Sequence, residues 1–284
     1  MLITNIKAIN NNLLTLVTVD CGNSFITYYM LKSLFKFYNG RFNIIVLCIK
    51  YNEHLALLNE FKNNITLIYA FNIPEIKKYL GVNGSLCHSY AIKYLVKKYI
   101  KSEYFLLCDN DIIFSNLDIL NINYKNFDIV GKYDLTVLNY VKNMLYYMKN
   151  NNITNFTNFN KIININDIPN INVEFLHKKY NIYTFENLKI FLRYLPFYIL
   201  IKTEIFNKYF STIIYPLQKH KNYYYYIDTF SMFTYNLFRH NCKILNYDIK
   251  HDIYHIGGST NMYNFSKQDY EHKLLKLENN NYAN

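Results

Sequence analysis

Strand and helix signals alternate from residue 13 to residue 108, and this alternation limits the fold more than any other property of the 284-residue chain. Residues 13–19, Leu-Leu-Thr-Leu-Val-Thr-Val, read as a buried strand closed by the turn Asp20-Cys-Gly-Asn-Ser. A helical stretch from Phe25 to Phe37 follows and stops at Asn39-Gly40. The pattern repeats with a strand over 42–49, a helix over 53–61, a strand over 65–69, a helix over 86–100 and a strand over 104–108. Apolar residues recurring at helical spacing between short apolar runs imply right-handed crossovers onto a largely parallel sheet. The expected class is therefore α/β, a mostly parallel sheet flanked by helices.

The fourth strand ends in chemistry. Residues 104–114, Tyr-Phe-Leu-Leu-Cys-Asp-Asn-Asp-Ile-Ile-Phe, run apolar into Asp109 and Asp111 and then turn apolar again. Positions i and i+2 of an extended chain share one side, so both carboxylates can converge past the strand's C-terminal edge. That edge is where open α/β sheets bind ligands. Hard oxygen ligands there suit Mg²⁺ or Mn²⁺, which keeps coordination positions for phosphate oxygens. Asn110, between the two, joins the same cofactor-binding set. Asp-Asn-Asp is also good turn chemistry, so a purely structural role stands beside the metal-diphosphate one.

Composition removes several alternatives. Half the residues are apolar, which excludes a disordered chain. The formal charge of +11 suits an anionic ligand or surface. Its lysines are scattered, and those at 93, 97, 98 and 101 follow a helix face, so nucleic acid is not an expected partner. The five cysteines are odd in number and form no Cys-x-x-Cys pair, so neither a zinc site nor a disulfide framework is indicated. Together with the lack of a basic leader, they point to a cytoplasmic setting, with peripheral membrane contact left open.

The second half is less regular. Residues 149–172 form a low-complexity insert, after which strands are expected over 197–201 and 242–247 and helices over 203–210 and 227–240. Residues 253–260, Ile-Tyr-His-Ile-Gly-Gly-Ser-Thr, end in a loop whose Gly257 and Gly258 leave the backbone bare to a ligand. Asp20 is placed either to contact a nucleotide or to cap its own turn. His88, on a helix face near Gly84, is expected to be structural.

Residues 83–95, Asn-Gly-Ser-Leu-Cys-His-Ser-Tyr-Ala-Ile-Lys-Tyr-Leu, followed by 104–112 with its Asp-Asn-Asp, resemble the helix, strand and DxD motif of GT-A glycosyltransferases, most nearly the family 2 type. The stretches 197–206 and 227–244 resemble that family's acceptor-side strand and Glu-Asp helix, so about half the chain carries the likeness. The resemblance implies one GT-A-like domain, with residues 1–130 as the nucleotide-sugar half and 131–284 as the acceptor half. It implies a nucleotide-sugar donor, uridine diphosphate favoured, held through Mn²⁺ or Mg²⁺ by Asp109 and Asp111. His255 would complete the metal shell, with His251 competing for that place. Asp228 would be the general base for an acceptor hydroxyl, on a glycan, a lipid-linked sugar or a protein, giving inversion. Two features depart from the pattern. Ile227-Asp228 holds one carboxylate where the family has two, and Lys50-Tyr51-Asn52 stands where the family has Asp-Asp-Gly-Ser. A retaining enzyme of the family 8 kind and a degenerate binding module are the alternatives.

Overall fold

The structure is a computed structural model of the whole chain, and it describes residues 13–77, 84–133, 194–210, 215–220, 223–227, 230, 233–234, 236–237, 240–256 and 267–275 except 269 and 273. A seven-stranded sheet organises it. Its strands are β1 (Leu14–Asp20), β2 (Phe42–Cys48), β3 (Thr66–Tyr69), β4 (Tyr104–Asp109), β6 (Ile129–Tyr133), β7 (Tyr194–Lys202) and β10 (Ile244–Asn246), in the order β10-β6-β7-β4-β1-β2-β3. The helices are α1 (Ser24–Leu34), the single turn α2 (Pro74–Lys77), α3 (Gly84–Tyr99) and α4 (Thr203–Tyr209).

The apolar runs form central strands because both of their faces find cover. Leu16, Ile44, Val46, Leu106 and Leu200 point to one side, onto Met30, Leu31 and Leu34 of α1 and onto Leu55, Leu58 and Phe61. Their neighbours Val17, Ile45, Leu47, Phe105, Leu107 and Ile199 point to the other, onto Ala91, Ile92, Leu95 and Val96 of α3 and Phe206 of α4. Burying each such side chain stabilises the fold by about 1.5–3 kcal/mol. This two-sided burial explains why the strands read as continuous apolar runs rather than as alternating ones.

Two departures from the sequence expectation matter. β7 runs antiparallel to both β4 and β6, so the sheet is mixed. This register sets Lys202 beside Tyr104 and sends the chain into α4 at the edge away from the end of β4. Residues 53–61 form the expected helix, of the 3-10 type, opened by Asn52, whose side chain accepts from His54 N at 3.1 Å. Ile227 does not start a helix but closes β9 (Tyr223–Ile227), hairpinned with β8 (Tyr215–His220), because both strands can satisfy their backbone groups on each other. Two short strands complete the described elements. β5 (Ile112–Phe114) pairs antiparallel with β11 (Ile253–His255).

Candidate functional site

Topology alone marks one place on the sheet. From β1 the chain moves outward to β2 and β3, then crosses back to β4 on the other side of β1. Such a reversal opens a crevice at the C-terminal ends of the two strands. Val19 of β1 stands level with Asp109 of β4, so the turn after β1 and the turn after β4 meet there.

Asp109 is the last residue of β4 and keeps 22% of its side chain exposed, whereas Asp111, one turn later, is 2% exposed. The turn between them is held from both sides. Asn110 Nδ2 donates to Thr27 Oγ1 of α1 at 3.0 Å, and the Asp111 carbonyl accepts from Ile256 N at 2.9 Å. Asn110 is buried in that bond and so faces α1, away from the crevice where a cofactor contact was expected.

Each carboxylate faces an imidazole. His255 Nε2 lies 3.4 Å from Asp111 Oδ1, and His88 Nε2 lies 3.5 Å from Asp109 Oδ1. Of His255 and His251, His255 is the one beside the Asp111 carboxylate, and its ring stacks on Phe197 at 3.9 Å and 8°. His251 is exposed on a 3-10 turn and offers only its backbone carbonyl, to Ser115 Oγ at 2.9 Å. His88 lies on the expected helix near Gly84, and its nearness to Asp109 is what the sequence reading did not anticipate. α3 feeds directly into β4 and lies antiparallel to it, so its first turns return to the sheet edge where β4 ends. Reading that crossover as geometry, rather than the helix as a periodic face, would have found the residue.

Asp20 is also at this edge but turned inward. It is fully buried, its Oδ1 accepts from Gly22 N at 2.8 Å and Asn23 N at 3.2 Å, and its Oδ2 accepts from Ser24 Oγ. Asn52 Nδ2 donates in turn to Ser24 Oγ at 2.8 Å, tying the β2 side of the crevice to the same network. Of the two roles expected of Asp20, turn-capping is the one its geometry serves. Burial pushes its carboxyl above the usual range, against the lowering effect of these hydrogen bonds.

Lys50 and Tyr51 form the β2 wall. Gly22 has φ +111°, and a β-carbon there would lie 3.1 Å from Lys50 Cβ and Cδ, so glycine is what lets the Lys50 stem cross the turn. The Lys50 ammonium opposes the upward push that burial exerts on the Cys21 and Cys87 thiols. Tyr51 is 77% exposed and stands edge-on to Phe71 at 6.2 Å. Asp228, Gly257 and Gly258 lie outside the described residues.

The donor set fits a divalent cation in part. Two ligands on one cation with bonds of about 2.1 Å sit roughly 3 Å apart in octahedral geometry, close to the Asp111–His255 spacing. Among the described residues, no group of three or more His, Cys, Asp or Glu could hold a metal ion by itself. Asp111 and His255, with Asp109 beside them, would hold such an ion only with further oxygens from water or a phosphate, as small hard cations usually are held.

No protein-family model and no curated protein sequence matches this chain. Solved structures do resemble it. The apo structure of WbbM, a bifunctional glycosyltransferase, superposes with a TM-score of 0.50 at 12% identity, covering 86% of this chain and 40% of that one. The galactosyltransferase LgtC, in complex with donor and acceptor sugar analogues, gives 0.45 at 12% identity over 83% of this chain and 74% of its own. TarS 1–349 from S. aureus, in complex with UDP, gives 0.45 at 12% identity over 85% and 60%. The chain thus spans less than half of the WbbM structure. The shared fold is the α/β, mixed, mostly parallel sheet of GT-A glycosyltransferases, and it does not single out the family 2 type.

Proposed function

We propose that this chain is a glycosyltransferase that moves a sugar from a nucleoside-diphosphate donor to an acceptor hydroxyl. One observation carries the reading: at the crevice of a GT-A fold, Asp109 and Asp111 close β4 and each has an imidazole within 3.5 Å. A divalent cation held there would offset the charge that grows on the departing diphosphate. Asp111 and His255 are the residues assigned to hold it, with Asp109 directed at the same ion or at the donor ribose. Phe197 keeps the His255 ring in its plane, and Asn110 keeps the turn docked on α1.

The remaining roles follow from placement. Lys50 supplies positive charge on the β2 side, and Tyr51 offers an exposed ring against which a nucleobase can stack. Both lie in the stretch 49–52 that stands where the family 2 pattern has Asp-Asp-Gly-Ser, and a uridine nucleotide is the donor assigned. Asp228, next in sequence after β9, is assigned as the general base that takes the acceptor proton, and Gly257 and Gly258, next but one after β11 in sequence, are assigned as donor-binding residues. A base opposite the leaving group makes the reaction inverting. The acceptor is a sugar hydroxyl on a glycan, a lipid-linked sugar or a protein. Five free thiols suit a reducing, cytoplasmic setting. Among the described residues no helix is long and apolar enough to cross a membrane.

Thermal unfolding with UDP, GDP, CMP or no nucleotide, each with and without Mn²⁺, tests the reading. A ligand at about a hundred times its Kd stabilises by roughly 2.7 kcal/mol, which raises the midpoint on the order of 5 °C. A rise that needs both UDP and Mn²⁺ and is lost in Asp109→Ala/Asp111→Ala is expected. No rise with any nucleotide sinks the donor site. A rise without sugar transfer or donor hydrolysis selects the binding-module alternative.

A further inference from the structure

Tyr270 is fully buried, yet it comes from the C-terminal segment, more than 150 residues after the Asp-Asn-Asp turn. Its ring stands edge-on to Phe25 at 5.8 Å and tilted against Tyr29 at 5.7 Å. With Phe25, Ile26 and Ile256 it forms a small apolar cluster, to which Ile113 and Leu274 add. Two of these neighbours belong to the site. Ile256 donates its N–H to the Asp111 carbonyl, and Ile113 lies two residues beyond Asp111. The segment is clamped beside this ring: Glu271 accepts from Tyr29 Oη and pairs with Lys267 at 3.7 Å.

The ring therefore has a packing role, but the hydroxyl does not share in it. Tyr270 Oη is out of water and has no hydrogen-bond partner among the described residues. A buried hydroxyl without a partner destabilises, and phenylalanine would fill the same apolar cluster without that cost. Burial first, and the Asp111 carboxylate second, push its pKa upward, so it stays protonated as a donor and lies within electrostatic reach of Asp111. An orphaned buried donor packed against the residues that hold Asp111 in place is the pattern of a group whose partner arrives with the ligand.

We propose that Tyr270 is a positioning residue: its hydroxyl donates to the Asp111 carboxylate once cation and donor engage it, and fixes which oxygen faces the cation. This rests on the donor-site reading above. Outer hydrogen bonds of this kind orient metal-bound carboxylates and typically change metal affinity about 10–100-fold.

The test compares wild type with Tyr270→Phe, which keeps the ring. Calorimetric titration with UDP and with GDP, in Mn²⁺, is read beside the thermal midpoint of the ligand-free protein. The expected result is an unchanged or higher midpoint in Tyr270→Phe, together with nucleotide affinity in Mn²⁺ weakened by about 10-fold or more. Binding as tight as wild type overturns the inference while leaving the donor site standing. A lower midpoint also overturns it, because the hydroxyl then already has a structural partner. If wild type binds neither nucleotide, the donor-site reading falls and this inference falls with it. Tyr270→Ala serves as the packing control and is expected to lower the midpoint in every case.

Discussion

Asp252 shows what a buried carboxylate does when it is structural. Its Oδ1 accepts from Asp118 N at 2.9 Å, and its Oδ2 accepts from Ile119 N and Tyr198 Oη at 2.9 Å and from Tyr247 Oη at 3.2 Å. Every donor around it is used, in contrast to Tyr270. Replacing it with alanine strands several buried donors at once, and since each costs about 1–3 kcal/mol, a loss of at least about 3 kcal/mol is expected in urea unfolding of Asp252→Ala. Asp20 makes a second case, readable through pH. Burial raises its folded pKa above the unfolded value of about 3.9. A raised folded pKa means that the stability this group contributes is full below the unfolded value and is lost as pH rises through the folded one. The stability of wild type relative to Asp20→Asn should therefore grow as pH falls from about 7 towards 4, measured as paired urea midpoints. A flat difference would mean that Asp20 titrates as an ordinary carboxylate, and a shrinking one that its hydrogen bonds outweigh burial and hold its pKa down.

At the scale of elements, the site is assembled from ends. α1 begins where the Asp20 turn finishes, α3 begins beside the end of β4, and β11 closes against β5. The turn after β1 depends on one glycine. Gly22→Ala forces a β-carbon into a φ of +111° and against the Lys50 stem, and costs about 1–3 kcal/mol. Displacing Lys50 should also weaken nucleotide binding, so Gly22→Ala and Lys50→Met are expected to share a rise in Kd for UDP with Mn²⁺, whereas only Gly22→Ala loses stability. Equal binding by Lys50→Met would remove Lys50 from the site. His88→Gln tests α3 in the same assay: a several-fold weaker Kd for UDP with Mn²⁺ is expected with the thermal midpoint preserved, and an unchanged Kd returns His88 to a structural role. Most of these elements were legible from periodicity, since β1, β2, β4, α1 and α3 match the apolar runs to within a few residues. The 3-10 type of the helix at 53–61 was not, because its apolar spacing serves either helix type, and the β8–β9 hairpin was hidden in a run of tyrosines with no alternation.

Over the whole molecule, the sheet is the reference frame that brings distant residues together. Its burial reaches every thiol: desolvation pushes up the pKa of Cys21, Cys48, Cys87, Cys108 and Cys242 alike. The native protein should therefore react slowly with iodoacetamide near pH 8, and all five cysteines should label promptly in denaturant, as counted by intact mass. Fast labelling of one native thiol would show that its surroundings are open. The sequence by itself determined strands β1 to β4, their two buried faces and the position of Asp109 and Asp111 at a strand end. These are local properties, written in the period of apolar residues and in where that period breaks. It also supplied His255 as a candidate, but not its pairing with Asp111 over His251. Only the tertiary structure brought His88 to Asp109, turned Asp20 inward, docked Asn110 on α1 and set Tyr270 in one cluster with Ile256, whose N–H bonds the Asp111 carbonyl. Those partners lie far apart in the sequence, or on elements whose facing is set by sheet order and strand register. Periodicity states which side of an element is buried; it carries no information on which other element will cover it.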